Sequence, residues 1–414
     1  MARTLRIAAV QMDANPARTP LRLSRAQGLV ARAAAAGAQL VVLPELFNIG
    51  YAYDDRNHAR AETVDGATLT WMRQIAARLD IHLAGSLLLR DGHEVYNTLF
   101  LVAPEGRTWR YDKNYPWGWE RGSFRAGRGI TVADTDLGRF GMLICWDTAH
   151  RNLWRYYAGR VDAMVICSCP PDVTNPTYEF PDGARLTIDQ MGPLMASVQG
   201  SGRRLFGTMI NEQTAWLGVP AVNTVGTGRI TTAVPRGLAT LLAILPSAPW
   251  LARYLRQASR MQVSCDLIQG CKIVNADGRV LTEMAQAQGE GFTLAAVTLP
   301  DTPPQPRGAQ PPARVPAFAY ASSDAILPWL VAPIYRRRVR RARGAQMAPG
   351  IARTRLGARI LVVAALGVTA GLLAWRWATT RLATGTVAFS VRSRSGSLSA
   401  VPARMRFWQQ RNVT

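Results

Sequence analysis

The sequence predicts an α/β fold, and three observations carry that expectation. Through the first 300 of 414 residues, short apolar runs that read as buried strands alternate with Ala- or Leu-rich stretches that read as helices, joined by short connections. Apolar residues make up 48% and charged residues 18%, which is enough for a sizeable core and excludes wholesale disorder. There is no internal repeat, and five cysteines in a chain of this length are too few for a disulfide-stapled scaffold. With four histidines and no C-x-x-C or H-E-x-x-H spacing, the sequence offers no metal site, and no cofactor is expected.

The elements follow in order. Residues 1–6 run straight into Ile7-Ala8-Ala9-Val10-Gln11-Met12, a first core strand with no signal-peptide pattern before it. Residues 21–36 have helical character and stop at Gly37. A short strand, 40–44, leads to a helix near 69–79 and a strand at 81–89. Residues 95–103 pair with 107–111 across Pro104-Glu105-Gly106 as a hairpin. Strands at 140–144 and 163–167 flank a helix near 152–158. Later strands are expected at 219–223, 271–275, 279–282 and 292–299.

Two stretches break this rhythm. Residues 238–252 are uncharged, contain Pro246 and Pro249, and are flanked by Arg236, Arg253, Arg256 and Arg260. They read either as a segment lying in a membrane interface or as a Pro-kinked helix pair on the domain. Residues 301–316 are a Pro/Gln/Arg-rich linker by composition. Residues 315–335 are apolar but hold Asp324 and three prolines, and read as interfacial within a 301–355 linker region.

The charge belongs mostly to the tail. The chain is +22, with 49 basic residues against 27 acidic ones, yet residues 301–414 alone hold 18 Arg against two Asp. A basic tail is as much a membrane cue as a nucleic-acid cue. Residues 360–375 are sixteen uncharged residues between Arg359 and Arg376. As a helix they cover about 24 Å, short of the roughly 30 Å hydrocarbon core. Snorkelling arginines and the belt residues Trp375 and Trp377 lengthen that reach. The expectation is one transmembrane helix over 356–378 with a basic tail over 379–414; the alternative is a buried helix of a soluble protein. Nine Arg precede the span from Arg336 and four follow it to Arg394. The positive-inside rule then places the large domain on the cytoplasmic side of the cell inner membrane. The basic cluster beside an apolar span favours an anionic membrane surface as partner, and no nucleic acid.

Three polar residues each end an apolar strand. Cys145 closes Gly141-Met142-Leu143-Ile144, at the rim of a sheet where backbone N–H groups can face an oxyanion. Alone, such a Cys reads more readily as a small buried hydrophobe. Glu45 follows Leu40-Val41-Val42-Leu43-Pro44, and Lys113 follows the second strand of the hairpin. Taken singly, these read as a solvent-facing Glu and a surface Lys. His150, five residues past Cys145, is the one serious histidine base. Cys167 reads as core and Cys169 as a residue of the pocket rim; Cys265 and Cys271 read as structural.

Together, the order Glu, Lys, Cys, each after its own strand, resembles the nitrilase superfamily of carbon–nitrogen hydrolases. The resemblance includes Leu43-Pro44-Glu45-Leu46-Phe47 with Gly50-Tyr51, Tyr96-Asn97-Thr98 leading to Tyr111-Asp112-Lys113, and Glu120 with Phe124 and Gly127. It continues through Cys145-Trp146-Asp147, Val222-Asn223-Thr224 and Ile273-Val274-Asn275-Ala276-Asp277-Gly278. It covers about residues 4–300, with 231–262 inserted. Lys113 is one of only two lysines, the other being Lys272, in a chain whose basic residues are otherwise Arg. That suggests a chemical demand for an amine.

The resemblance implies a four-layer α-β-β-α sandwich, commonly paired into dimers, and hydrolysis of an amide or nitrile through a thioester. In that reading Cys145 is the nucleophile, Glu45 the base, Lys113 the oxyanion's cation and Glu120 the neighbour that orients Lys113 and lifts the base's pKa. Tyr51, Trp117, Trp146 and Asn223 would contact substrate, a small or amphiphilic amide. Acyl transfer to an amine is the alternative within the family; a non-catalytic membrane-binding protein is the alternative outside it. The sequence departs from the family after Cys145, where the usual Pro-Glu pair is replaced by Asp147-Thr148-Ala149-His150, so one pocket wall is its own.

Overall fold

The computed structural model describes residues 3–346. The transmembrane helix expected over 356–378 and the basic tail lie outside the described residues.

The chain starts with strand β1 (Arg3–Asp13), helix α1 (Thr19–Ala35), β2 (Leu40–Val42), α2 (Ala67–Leu79) and β3 (His82–Asp91). The hairpin β4 (Glu94–Val102) and β5 (Thr108–Asp112) follows, in the register Val102 opposite Thr108. Next come β6 (Val132–Thr135), β7 (Gly138–Ile144), α3 (Arg151–Tyr157) and β8 (Ala163–Cys167). Two short strands, β9 (Thr177–Glu179) and β10 (Arg185–Thr187), precede α4 (Ile210–Leu217), β11 (Ala221–Thr224) and β12 (Gly226–Thr227). The chain continues through β13 (Arg229–Ala233), α5 (Gly237–Ile244), β14 (Gln262–Asp266), β15 (Cys271–Val274), β16 (Val280–Met284), β17 (Gly291–Leu299) and α6 (Leu327–Gln346).

Two mixed sheets form the centre. One has the order β12-β1-β2-β3-β4-β5, with β17 also pairing with β1; the other has the order β16-β15-β11-β8-β7-β6. The alternation of side chains along a strand assigns each residue to a layer. Ala8 and Val10 of β1, with Val41, Leu83 and Phe100, pack under Leu29 and Val30 of α1 and Met72 and Ile75 of α2. The opposite phase of the same strands, Ile7, Ala9, Leu40, Leu99 and Leu101, meets Met142 and Ile144 of β7 and Val165 of β8. That second cluster extends to Trp154 and Tyr157 of α3 and Ile210 of α4. The result is the expected α-β-β-α stack.

Where the two sheets meet, they are stitched at the ends of β2, β8 and β11. Cys167 Sγ and Thr224 Oγ1 both donate to the Leu43 carbonyl, at 3.1 and 3.2 Å, and Glu45 N–H reaches Ser168 O at 3.3 Å. This seam fixes the chain leading into Glu45 against the second sheet.

A third sheet, β10-β9-β14-β13, was not foreseen. Its strands are three to five residues long, too short for a periodic signal. It explains the inserted segment: β13 and β14 are antiparallel neighbours whose last paired residues are Ala233 and Gln262, so residues 234–261 are the excursion of one long hairpin. The linker 301–316 is laid on the domain. Gln310 exchanges hydrogen bonds with the Arg151 backbone and side chain, and Arg314 pairs with Glu212.

Lys272, the second lysine, is buried in β15, where its Nζ donates to Gly207 O at 2.9 Å. Burial lowers its pKa to about 8, against a smaller opposing pull from Glu283. A base held below its unfolded pKa costs stability wherever both states are charged, and the cost is relieved as pH rises from about 8 towards 10.5. Lys272→Met is therefore expected to remove a rise in melting temperature across that window, worth roughly 3 kcal/mol at its upper end. Parallel thermal melts of both proteins check it; identical pH slopes would show that the fold does not bury a charged amine there.

Candidate active site

Two of the three strand-end residues, Cys145 and Glu45, enter the site at or beside a left-handed backbone position. Cys145 has φ 50°, and Leu46, next to Glu45, has φ 51°. Left-handed backbone at a non-glycine residue is strained and persists only where surrounding bonds over-determine it. Those bonds are present. Leu46 N–H donates to Ser86 Oγ at 2.9 Å, and Thr148 Oγ1 donates to the Cys145 carbonyl at 2.6 Å.

Asp147 ties the Cys145 turn to the Lys113 turn. Its Oδ2 accepts from Tyr111 Oη at 2.8 Å and Ile144 N at 3.3 Å, and its Oδ1 accepts from Tyr115 N at 2.7 Å. Burial, set against the pull of Lys113 and these donors, raises its pKa to about 6.

The centre is a three-charge network. Lys113 is fully buried, and its Nζ donates to Glu45 Oε1 and to Glu120 Oε2, both at 2.7 Å. Glu45 Oε1 also accepts from Asn97 Nδ2 at 2.7 Å, and Oε2 accepts from Cys169 N at 3.0 Å. Glu120 sits in the Gly118–Gly122 turn, where Oε2 accepts from Trp117 N and Oε1 from Tyr51 Oη, each at 2.7 Å.

Burial works against the ammonium, but Glu120 and Glu45 outweigh it and hold Lys113 well above its ordinary pKa. Burial lifts Glu120, Lys113 opposes that, and Glu45 adds to it. The Cys145 thiol is pushed well up by burial and by Glu45; Lys113 opposes the shift and Glu120 adds to it. The resting thiol is thus protonated, and the groups that act on it are those of the network. A pocket lined by Leu46, Tyr51, Tyr53, Glu120, Ser123 and Phe124 lies beside them.

The four core residues therefore converge, and Tyr51 and Trp117 join them through Glu120. Trp146 follows Cys145, but its indole N–H is spent on Asp324 Oδ1 at 2.8 Å. Asn223 is fully buried and braces the seam, accepting from Ser168 Oγ at 2.9 Å and donating to Gly270 O at 2.6 Å; its named bonds run to protein groups and not to the network. His150 stacks on Tyr115 at 3.4 Å, and burial lowers its pKa to about 3. It is a packed neutral ring beside Trp146 and Tyr320. His82, Glu105 and Asp136 form a separate group, within which His82 Nε2 lies 3.0 Å from Asp136 and Glu105 pairs with Arg107.

Sequence reasoning assigned no role to Asn97, Cys169 N–H, Asp147 or Asp324. Asn97 lay inside a quoted motif. Asp147 did too, while Cys169 acts through its backbone N–H and Asp324 stands 178 residues from Trp146. Asp324 belongs to a helical run, Ala317–Arg341, that packs on the site. Val331 lies against Gly122, and Arg338 NH1 donates to Gly122 O at 2.8 Å.

Asp324→Ala should free the Trp146 ring and raise KM roughly tenfold, the worth of one hydrogen bond to a charged acceptor. Asp324→Asn, which still accepts from the indole, should restore most of it. Steady-state kinetics of both variants check this, and equal defects in the two would remove the bond from the account.

Residues 6–307 match the family described as carbon-nitrogen hydrolase. The chain is 31% identical over 147 residues to a nitrilase of Pyrococcus abyssi, covering 34% of this chain and 56% of the relative. It is 30% identical over 190 residues to a chloroplastic omega-amidase of Arabidopsis thaliana, covering 41% and 50%. The matches thus span about half the length of these curated relatives. Among solved structures, the fold resembles an amidase from Nesterenkonia sp. AN1 carrying acrylamide added at its active-site cysteine, with TM-score 0.51 and 20% identity over 70% of this chain and 92% of that one. It also resembles a CN-hydrolase superfamily protein of Xanthomonas campestris with an arsenic adduct in its active site, with TM-score 0.51 and 16% identity over 86% and 100%.

Proposed function

The chain belongs to the carbon-nitrogen hydrolase family, and from that premise we propose that it hydrolyses a non-peptide amide through a Cys145 thioester while tethered to a membrane by residues 356–378. The observation that carries the chemistry is the buried Lys113 ammonium, held 2.7 Å from two carboxylates; after burial, these three groups act most strongly on the Cys145 thiol.

The proposed cycle uses those groups in turn. As the amide carbonyl arrives, Glu45 takes the thiol proton and sulfur bonds to the carbonyl carbon. The oxyanion forms against Lys113 and the Trp146 backbone N–H. Collapse breaks the C–N bond, and Glu45 returns the proton to the leaving amine. Glu45 then takes a proton from water, which attacks the thioester; the acid departs and sulfur recovers its proton. Glu120 keeps Lys113 aimed, and Tyr51 holds Glu120.

The compact ammonium suits this role better than a guanidinium would, because both carboxylates and the oxyanion must share one point charge. Tethering and the apolar helix Ala317–Arg341 beside the site favour an amphiphilic amide over a freely diffusing one.

The test is a panel of short- and long-chain amides and nitriles, followed by amine or ammonia release, with hydroxylamine added in parallel. Release that yields hydroxamate at the expense of acid supports a hydrolytic thioester. No release from any amide, or acyl discharge only to amines, would contradict hydrolysis.

A further inference from the structure

Six large apolar side chains stand open on three neighbouring segments: Leu194, Leu238, Leu242, Trp250, Ile326 and Trp329, each between 38% and 61% exposed. Among the described residues only Leu21 and Tyr156 are comparably exposed, and they lie on α1 and α3.

The three segments form one surface because they share a core. Met191, Leu241, Ala248, Leu251 and Val331 form a single buried cluster beneath it. Trp250 Nε1 donates to Gln190 O at 3.1 Å, and Arg236 NH1 donates to Leu330 O at 2.8 Å. Leu238 and Leu242 are one turn apart on α5, so they share a face; Ile326 and Trp329 are three residues apart on a helical run and share another.

The charge around this surface is predominantly positive: exposed Asp182, bonded by Gln257, and exposed Asp189 stand against eight exposed arginines. Arg236, Arg253, Arg256 and Arg260 are exposed at the ends of the inserted segment, and Arg336, Arg337, Arg340 and Arg341 are exposed on the helical run. Among the described residues, none of these eight forms an ion pair.

The run Ala317–Arg341 is long and apolar enough to cross a membrane, yet it is fastened to the domain. Tyr320 Oη donates to Ala149 O, Asp324 accepts from Trp146, and Val95 N donates to Tyr335 Oη. A helix held flat on a domain, with Ile326 and Trp329 outward and arginines alongside, has the build of an interfacial element.

We propose that this face docks on an anionic phospholipid bilayer. The leucines and Trp250 and Trp329 would enter the acyl–headgroup boundary, and the arginines would engage lipid phosphates. Two further points select lipid as the occupant. The unpaired positive charge complements an anionic headgroup layer, and the chain beyond residue 346 runs into the uncharged stretch 360–375. The inference deepens the proposed function and rests on it in one respect: the docked helix is the one that holds Trp146 and the Glu120 turn, so the bilayer would lie beside the pocket that takes an amphiphilic amide.

The test uses the full chain in lipid nanodiscs. Leu242→Cys and Trp250→Cys are labelled with an environment-sensitive fluorophore, and Leu21→Cys serves as control. The five native cysteines are buried, and wild type labelled in parallel supplies the background from Cys145. In discs of phosphatidylcholine with phosphatidylglycerol, the probes at 242 and 250 are expected to shift to the blue and brighten several-fold, while the probe at 21 stays in water. Combining Arg253→Glu, Arg256→Glu and Arg260→Glu with each labelled variant should return the signal to that of neutral discs.

Probes at 242 and 250 that report water in anionic discs would overturn the proposal. A response at 21 equal to theirs would do the same. So would brightening that follows protein concentration without lipid, which would assign the face to a second copy. Turnover of a short soluble amide, measured on the same samples, reads the hydrolase proposal separately.

Discussion

Lys113→Met is expected to melt far below the wild type and to hydrolyse amide about a thousandfold more slowly. The side chain it replaces is fully buried and gives its charge to Glu45 and Glu120, each only 2% exposed. Removing one partner of a buried ionic network leaves the remaining charges without compensation, at a cost of about 3–5 kcal/mol. Unpaired buried carboxylates answer by taking up protons. The variant's deficit should therefore shrink as pH falls, whereas a simple cavity would cost the same at every pH. Lys113→Arg separates folding from chemistry. It keeps the charge and should recover part of the stability, while a planar fork in a space shaped for three donors should leave turnover low. Thermal melts across pH, with steady-state rates on the same preparations, check both halves. A Lys113→Arg variant as active as wild type would remove the demand for an amine.

Glu45→Gln should lower kcat by about a thousandfold, at the scale of a lost general base, with little change in KM. Its cost also has a geometric part. One carboxylate oxygen accepts from Lys113 and Asn97, and the other accepts from Cys169 N–H. A glutamine can present only one oxygen, so its amide N–H must face a donor on one side or the other. The expected stability loss is about 1–3 kcal/mol, the cost of an unsatisfied buried group. Asn97→Ala, which removes one donor and leaves the base, should show a much smaller drop in kcat. Equal losses in the two variants would mean that Glu45 is structural.

Much of this arrangement was legible because strand-end positions are readable. The runs before Glu45 and Cys145 are apolar enough to read as strands, the run before Lys113 reads as the second strand of a hairpin, and in an α/β sandwich residues at strand ends gather at one rim. Glu120 could be named only through the family resemblance, which carries it with Phe124 and Gly127. The braces were not legible. Asp147 reads as part of a departure from the family pattern, yet it clamps the two reactive turns together. Cys169 contributes a backbone N–H, and no side-chain signal announces one. Asn223 looked like a substrate contact because it sits in a quoted motif, but its bonds to Ser168 and Gly270 hold the seam between strand ends. His150 fitted a Cys–His spacing, and only its stacking on Tyr115 shows where the ring is engaged.

The inserted segment and the helical run were readable as apolar stretches near arginines. Their meeting over a shared core was not, since residues 191, 241 and 331 come together only in three dimensions. The small third sheet that launches the insert is made of strands too short to carry a period.

The central claim is that the Cys145 sulfur is the nucleophile served by the Lys113 network, and covalent mapping tests it most directly. The full chain is treated with a small α,β-unsaturated amide, in which the amide group supplies recognition and the alkene supplies the electrophile. Intact mass and peptide mapping then locate the adduct among five buried cysteines. The account predicts one adduct, on the peptide that carries Cys145, and none on Cys145→Ala. An adduct on Cys169, or one that forms equally on Cys145→Ala, would contradict it.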